Sequence, residues 1–232
     1  MITLRKSEDR GQVDAGWLKG RHSFSFGNYY DPDHMGFRSL RVINEDRVEP
    51  ASGFDTHPHR DMEIITYVYR GEVLHKDSMG NEGVIRAGEV QRMSAGTGVL
   101  HSEHNPSATE PLQLLQIWIQ PGLNGIPPEY EQMNLDQVDR DNRWKLVVSP
   151  DGRDGSLKIH QDAFLYAALL EPGKALSHTL KPERHGWVQV VRGDIEVNGL
   201  SMEAGDGASL AREREIHLSA QSPTELLLFD LQ

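Results

Sequence analysis

The chain contains no cysteine. Disulfides, thiolate zinc centres and cysteine nucleophiles are therefore excluded, and a reducing compartment suits it. No apolar run approaches the ~18 residues needed to span a bilayer. The opening residues, Met-Ile-Thr-Leu-Arg-Lys-Ser-Glu-Asp-Arg, lack an apolar stretch of signal-peptide length. Cytoplasmic residence with no membrane partner is the expectation. Basic charge is in short supply: 24 Lys and Arg against 35 Asp and Glu give a formal net charge of −11. Duplex binding calls for a basic face. No such cluster is evident, so no direct nucleic-acid partner is expected. Helix signals are weak everywhere, and no dimer motif stands out, which leaves a monomer as the default.

What the chain does have is a succession of short strands. Glu63–Tyr69, Leu112–Ile119, Trp187–Val191 and Leu226–Leu231 are rich in Val, Ile, Leu and aromatic residues, and turn residues separate them, including Asn198-Gly199. Regular short strands of this kind predict an all-β barrel or sandwich. The 232 residues allow two domains of roughly 100 each. The chain also resembles itself. Tyr67–Val73 (Tyr-Val-Tyr-Arg-Gly-Glu-Val) matches Gln189–Ile195 (Gln-Val-Val-Arg-Gly-Asp-Ile), and Ala87-Gly88-Glu89 matches Ala204-Gly205-Asp206. Two such units argue for duplication. The Gly- and Pro-rich stretch Pro121–Pro128 is the candidate boundary, giving domains 1–125 and 126–232.

Two clusters carry chemistry. His57-Pro58-His59 places two imidazoles on one side of a strand, because residues two apart share a face. His101-Ser102-Glu103 repeats that spacing downstream. If both strands line one interior, three imidazoles and a carboxylate converge. That set suits iron, cobalt, nickel, copper or zinc. Glu63 has the same parity as His57 and His59, so parity alone leaves Glu63 and Glu103 as rival fourth ligands. His104 should face away from His101. His75 reads as a hydrogen-bonding histidine, and His22, His34, His160, His178 and His185 as structural or solvent-facing. Gly96-Thr97-Gly98 lacks the Lys-Ser/Thr ending of a phosphate loop and reads as a tight turn delivering His101. Phe24, Phe26, Tyr29 and Tyr30 read first as core or loop packing, with a substrate wall as the lesser alternative. In the second half, Thr179, Lys181 and Ser219 fall near the positions of His57, His59 and Glu103, and His217 near that of His101. No His-x-His exists there, so the domain 126–232 is expected to lack a metal site.

The phrases Phe37–Ile43, His57-Pro-His59-Arg60-Asp-Met-Glu63, Gln91-Arg92-Met93-Ser-Ala-Gly96-Thr-Gly98 and His101-Ser-Glu103 resemble the pirin family in its bacterial branch, within the cupin superfamily. Ser94 stands where the general second cupin motif carries proline. The resemblance implies a bicupin: two stacked antiparallel β-barrels of jelly-roll type with few short helices, and metal only in the N-terminal one. It maps the family's ligands onto His57, His59, His101 and Glu103, and leaves Glu63 as a pocket or supporting residue. It implies one divalent metal ion, usually iron, with zinc, cobalt, nickel or copper also accepted. Bacterial pirins are associated with quercetin 2,3-dioxygenase activity, which makes a flavonol-like molecule and dioxygen the expected partners and Glu103 the expected catalytic base. The alternative is a metal- or redox-sensing module that acts on a regulatory protein without turnover.

Overall fold

The computed structural model describes residues 1–232. Strands dominate. The only α-helix is the single turn Gln137–Arg140, begun by the Asp136 side chain, which accepts a hydrogen bond from the Val138 amide at 3.0 Å. Two short 3-10 turns, Ser7–Asp9 and Arg153–Gly155, complete the helical content. No helix is long and apolar enough to cross a membrane. The chain divides into two compact units, and each holds a seven-stranded and a four-stranded sheet. Every pairing between strands is antiparallel except the short one between Lys145–Ser149 and Leu157–Lys158. This is the all-β bicupin organisation expected.

The first unit comprises residues 11–134 and 159–161. Its larger sheet runs Glu129–Asn134, Glu89–Ser94, Glu63–Arg70, Leu112–Ile119, Leu40–Val48, Leu18–His22 and Gly11–Asp14. Its smaller sheet runs Gly53–His59, Val99–His104, Glu72–Asp77 and Glu82–Arg86. Burial alternates along Val99–His104, with Val99, His101 and Glu103 inside and Leu100, Ser102 and His104 less covered. That period of two puts the motif's ligand candidates on the inner face. Two apolar clusters form around this interior. One gathers Val48, Val68, Val73, Ile85, Leu112 and Leu114, and the other Ile64, Met93, Ala95 and Val99.

The second unit comprises residues 1–10, 135–158 and 162–232. A larger buried cluster fills it, including Val188, Val197, Ile216, Leu218, Leu226 and Leu228. The repeat read in the sequence appears as matching turns. Gly71 and Gly193 adopt φ of +73° and +83°, and a Cβ on either would lie 2.8 or 2.3 Å from the carbonyl oxygen of Pro111 or Pro223. Only glycine fits both the left-handed backbone and that approach.

The bounds of the units differ from 1–125 and 126–232 in two ways. Glu129–Asn134 pairs residue for residue with Glu89–Ser94, and buried Arg92 binds both Glu129 and Glu131, so the strand after the Pro121–Pro128 loop still belongs to the first unit. Ile2–Arg5 pairs with Gly207–Leu210, and the Ser7 amide donates to Asp206 Oδ1 at 2.7 Å, so the first ten residues belong to the second unit. Both departures are long-range pairings, which composition along the chain does not signal.

Candidate metal centre

His57 and His59 stand on Gly53–His59, and His101 and Glu103 on the adjacent Val99–His104. His101 pairs with His57 and Val99 with His59. Between His101 and Glu103 the register shifts by a bulge, so Glu103 pairs with Phe54. Bulges re-aim side chains beside functional sites. The donor atoms of His57, His59 and His101 lie within 4.8 Å of one another. Their ring centroids are 4.9, 4.4 and 4.7 Å apart pairwise. His101 is 1% exposed, and neither of its ring nitrogens has a hydrogen-bond partner. A buried polar atom without a partner costs about 1–3 kcal/mol, so this ring is shaped for a ligand that the protein itself does not provide. His57 Nδ1 lies 2.7 Å from the Asp55 carbonyl oxygen, which places the ring proton there and leaves the Nε2 lone pair free, as outer partners of metal-binding histidines do.

Burial pushes the His59 imidazole down to about 4 and the His101 imidazole to about 3, with the neighbouring histidines adding to the effect. Both rings are therefore neutral near pH 7, the state that binds metal. Glu103 is buried beside them. Its Oε1 accepts from Thr66 Oγ1 at 3.2 Å and its Oε2 from Gln116 Nε2 at 2.9 Å. Thr66 and Gln116 face each other across Glu63–Arg70 and Leu112–Ile119. The donor atoms of Glu103, His101 and buried His75 also lie within 4.8 Å of one another, a second grouping that shares His101 with the first. Imidazole and carboxylate donors in this combination fit a first-row divalent metal ion.

A cavity of about 240 Å³ opens on the cluster. Phe26, Phe54 and Trp118 wall it, and Asn44, Asp46 and Gln116 supply polar groups beside His57, His59 and Glu103. It lies just under the ~300–1,000 Å³ usual for small-molecule sites. Trp118 stands edge-on to His59 at 4.9 Å and to Phe26 at 5.1 Å. The buried Trp118 Nε1–H and Asn44 Oδ1 have no hydrogen-bond partner in the protein.

Glu63 is not with the histidines. It is 1% exposed, accepts from Ser94 Oγ at 2.7 Å and from the His160 amide at 3.3 Å, and does not line the cavity. Burial raises its carboxyl, against the Ser94 hydrogen bond. Its shared parity with His57 carries no information, because Arg60–Met62 separate the two strands and restart the alternation. His104 faces away, 3.7 Å from Asp55, and Gly98 closes the expected turn on the Ala95 carbonyl at 2.9 Å. Phe26 proves to be a cavity wall rather than packing alone. Trp118, Thr66 and Gln116 carried no sequence signal, being single residues in apolar strands.

The correspondence drawn for the second unit also shifts. His178 pairs with Ile216 as His57 pairs with His101, and Val197 pairs with Leu218 as His75 pairs with Glu103. Leu180, whose amide donates to the Arg214 carbonyl, then matches His59. The counterparts of His57, His59, His101 and Glu103 are thus His178, Leu180, Ile216 and Leu218, rather than Thr179, Lys181, His217 and Ser219. The hairpins differ in length, so matching by turns slips by one residue, enough to change face. His217 is exposed and bonds Ser177 Oγ at 2.9 Å.

Inward imidazoles from neighbouring strands of a two-sheet β unit, beside an aromatic cavity, define a metal-binding protein of the cupin class. Comparison with known proteins narrows this. The family described as Pirin matches residues 3–119, and that described as Quercetinase C-terminal cupin domain matches residues 146–231. The chain belongs to the pirin family. It is 53% identical over 231 residues to Quercetin 2,3-dioxygenase of Escherichia coli strain K12, covering 100% of this chain and 99% of that one. Among solved structures, YhhW from Escherichia coli matches with a TM-score of 0.97 at 53% identity, covering 100% of this chain and 98% of the other. The bacterial pirin YhhW in complex with nickel(II) matches with a TM-score of 0.95 at 52% identity, covering 100% and 99%.

Proposed function

We propose that this pirin is a metal-dependent dioxygenase that opens the central ring of a flavonol such as quercetin and releases carbon monoxide. The observation that carries the reading is the partnerless buried His101 imidazole grouped with His57 and His59, which line an aromatic cavity. In this reading His57, His59, His101 and Glu103 hold one divalent ion, iron first, with nickel, cobalt, copper or zinc also accepted. The bound metal supplies Lewis acidity that lowers the pKa of the substrate's 3-hydroxyl and fixes its orientation. The rest falls to the chain's own residues. Phe26, Phe54 and Trp118 clasp a flat ring system and keep water from it. Glu103 takes the hydroxyl proton as general base, and Thr66 and Gln116 hold its carboxylate in place meanwhile. The second unit, with His178, Leu180, Ile216 and Leu218 at the matching positions, takes no metal.

The test is oxygen uptake on adding quercetin to protein stripped and reloaded with iron(II), beside Glu103→Gln. Uptake matched by flavonol loss, with turnover in Glu103→Gln reduced about 100-fold or more and well beyond any accompanying loss of metal, is the expected result. No uptake across iron, cobalt, nickel, copper and zinc overturns the dioxygenase reading and favours a metal- or redox-sensing role. Full turnover by Glu103→Gln overturns the general base.

A further inference from the structure

His75 reads in the sequence as a hydrogen-bonding histidine rather than a ligand, yet its surroundings are those of a metal ligand. The residue is fully buried, and its Nε2 lies 3.2 Å from Asp77 Oδ2. Asp77 is locked in turn: Oδ1 accepts from the amides of Met79 and Asn81 at 2.9 and 3.0 Å, and Oδ2 accepts from Asn81 Nδ2 at 2.9 Å. A carboxylate saturated with donors is an acceptor, so it fixes the His75 proton on Nε2. The Nδ1 lone pair then faces the interior, and no hydrogen-bond donor meets it. This carboxylate–histidine order is the one that aims an imidazole at a metal. Tyr130 covers one side of the ring at 5.2 Å, and the His101 ring lies 5.4 Å away.

We infer that His75, His101 and Glu103 form a second, deeper position for a divalent transition-metal ion. Their donor atoms lie within 4.8 Å of one another, and all three residues are buried. The opposed pairing of His75 with Glu103, and of Asp77 with His101, fixes the three on adjacent inward positions of the small sheet. Two imidazoles and a carboxylate select zinc, nickel, cobalt or copper over magnesium or calcium. Because His101 and Glu103 belong also to the outer set, the two positions are alternatives for one ion. His101 suits that exchange, since both of its nitrogens lack a partner. The outer donors His57 and His59 line the cavity, whereas of the inner set only the shared Glu103 does and His75 does not. An ion drawn to the deeper position is thus withdrawn from the substrate's side. This inference concerns metal occupancy alone and does not depend on the dioxygenase reading.

The test removes the outer set and leaves the inner one. Full-length His57→Ala/His59→Ala protein, shown to be folded by circular dichroism, is titrated with cobalt(II), and binding is followed by the ligand-field spectrum and by calorimetry. One cobalt(II) per chain, bound more weakly than by the wild type, is expected. Adding His75→Leu to that background should weaken binding at least about tenfold. Asp77→Asn provides a near-isosteric control for folding. Its amide would donate to Nε2, move the ring proton to Nδ1 and block the donor, so the same loss is expected. A folded double variant that binds no cobalt(II), or one whose binding changes with neither His75→Leu nor Asp77→Asn, overturns the inference.

Discussion

Four inward positions beside the cavity of the first unit hold His57, His59, His101 and Glu103, while the matching positions of the second hold His178, Leu180, Ile216 and Leu218. The contrast extends outward. Thr66 and Gln116, which grip Glu103, are matched by Val188 and Leu228, and His75 by Val197. Leu180, Val188, Val197, Ile216, Leu218 and Leu228 all belong to one buried cluster. His178, the polar remnant, is tied to Asp230 at 3.1 Å and lies 4.9 Å from the Tyr166 ring. The same pair of sheets therefore carries two interiors. One is filled by apolar contact, which stabilises a fold by area removed from water. The other leaves buried nitrogens without partners, a cost that stability alone would not retain.

The comparison breaks most visibly if its polar and apolar sides are exchanged. Leu218→Glu puts an unpartnered carboxylate into the second unit's core, and a loss of about 3–5 kcal/mol or outright unfolding is expected in urea titration. The converse change, Glu103→Leu in metal-free protein, should alter stability by no more than about 1–2 kcal/mol, because Thr66 and Gln116 also bond each other at 3.1 Å. Equal costs for the two would mean that the interiors are not distinct in kind.

Making the first unit resemble the second around Glu103 should act on chemistry rather than folding. Thr66→Val with Gln116→Leu removes both hydrogen bonds to the carboxylate. Turnover should fall about 10–100-fold with metal content kept. A proportional loss of metal would instead make these residues part of what holds the ion.

Acid gives a smaller effect of defined sign. His59 and His101 are held at about 4 and about 3 in the fold, below the ~6.5 of an unfolded chain. Between those values the unfolded chain binds more protons. The stability these residues confer is complete above about pH 6.5 and declines as the pH falls toward 4 and 3. Metal-free protein should thus unfold at lower urea at pH 5 than at pH 7.5. His101→Leu, which removes a titrating group, should flatten that dependence, and an unchanged slope would contradict the buried, neutral ring.

The residues of the site were legible where chemistry is concentrated in short phrases. Type and spacing single out His57, His59 and His101 as candidates, the family resemblance rather than parity prefers Glu103 to Glu63, and alternation along Val99–His104 puts His101 and Glu103 inside. What supports them was not legible. Thr66, Gln116 and Trp118 are ordinary residues in apolar strands, brought to the cavity by pairings distant in sequence. Parity left Glu63 open as a rival to Glu103 because it does not survive the break at Arg60–Met62. The fold class followed from strand length and turns, and the repeat from Gly71 and Gly193. The unit bounds did not, because Ile2–Arg5 joins a strand two hundred residues away, Gly207–Leu210. Matching the halves by turns erred by one residue, and one residue in a strand exchanges interior for exterior.

The proposed division between a metal-holding and an apolar unit is tested most directly by metal content per chain. Wild type, His101→Ala and His178→Ala would each be loaded with iron(II), freed of excess ion and analysed by elemental mass spectrometry. The account predicts one ion per chain in wild type and in His178→Ala, and none in His101→Ala. Two ions in wild type, or an undiminished ion in His101→Ala, would contradict it.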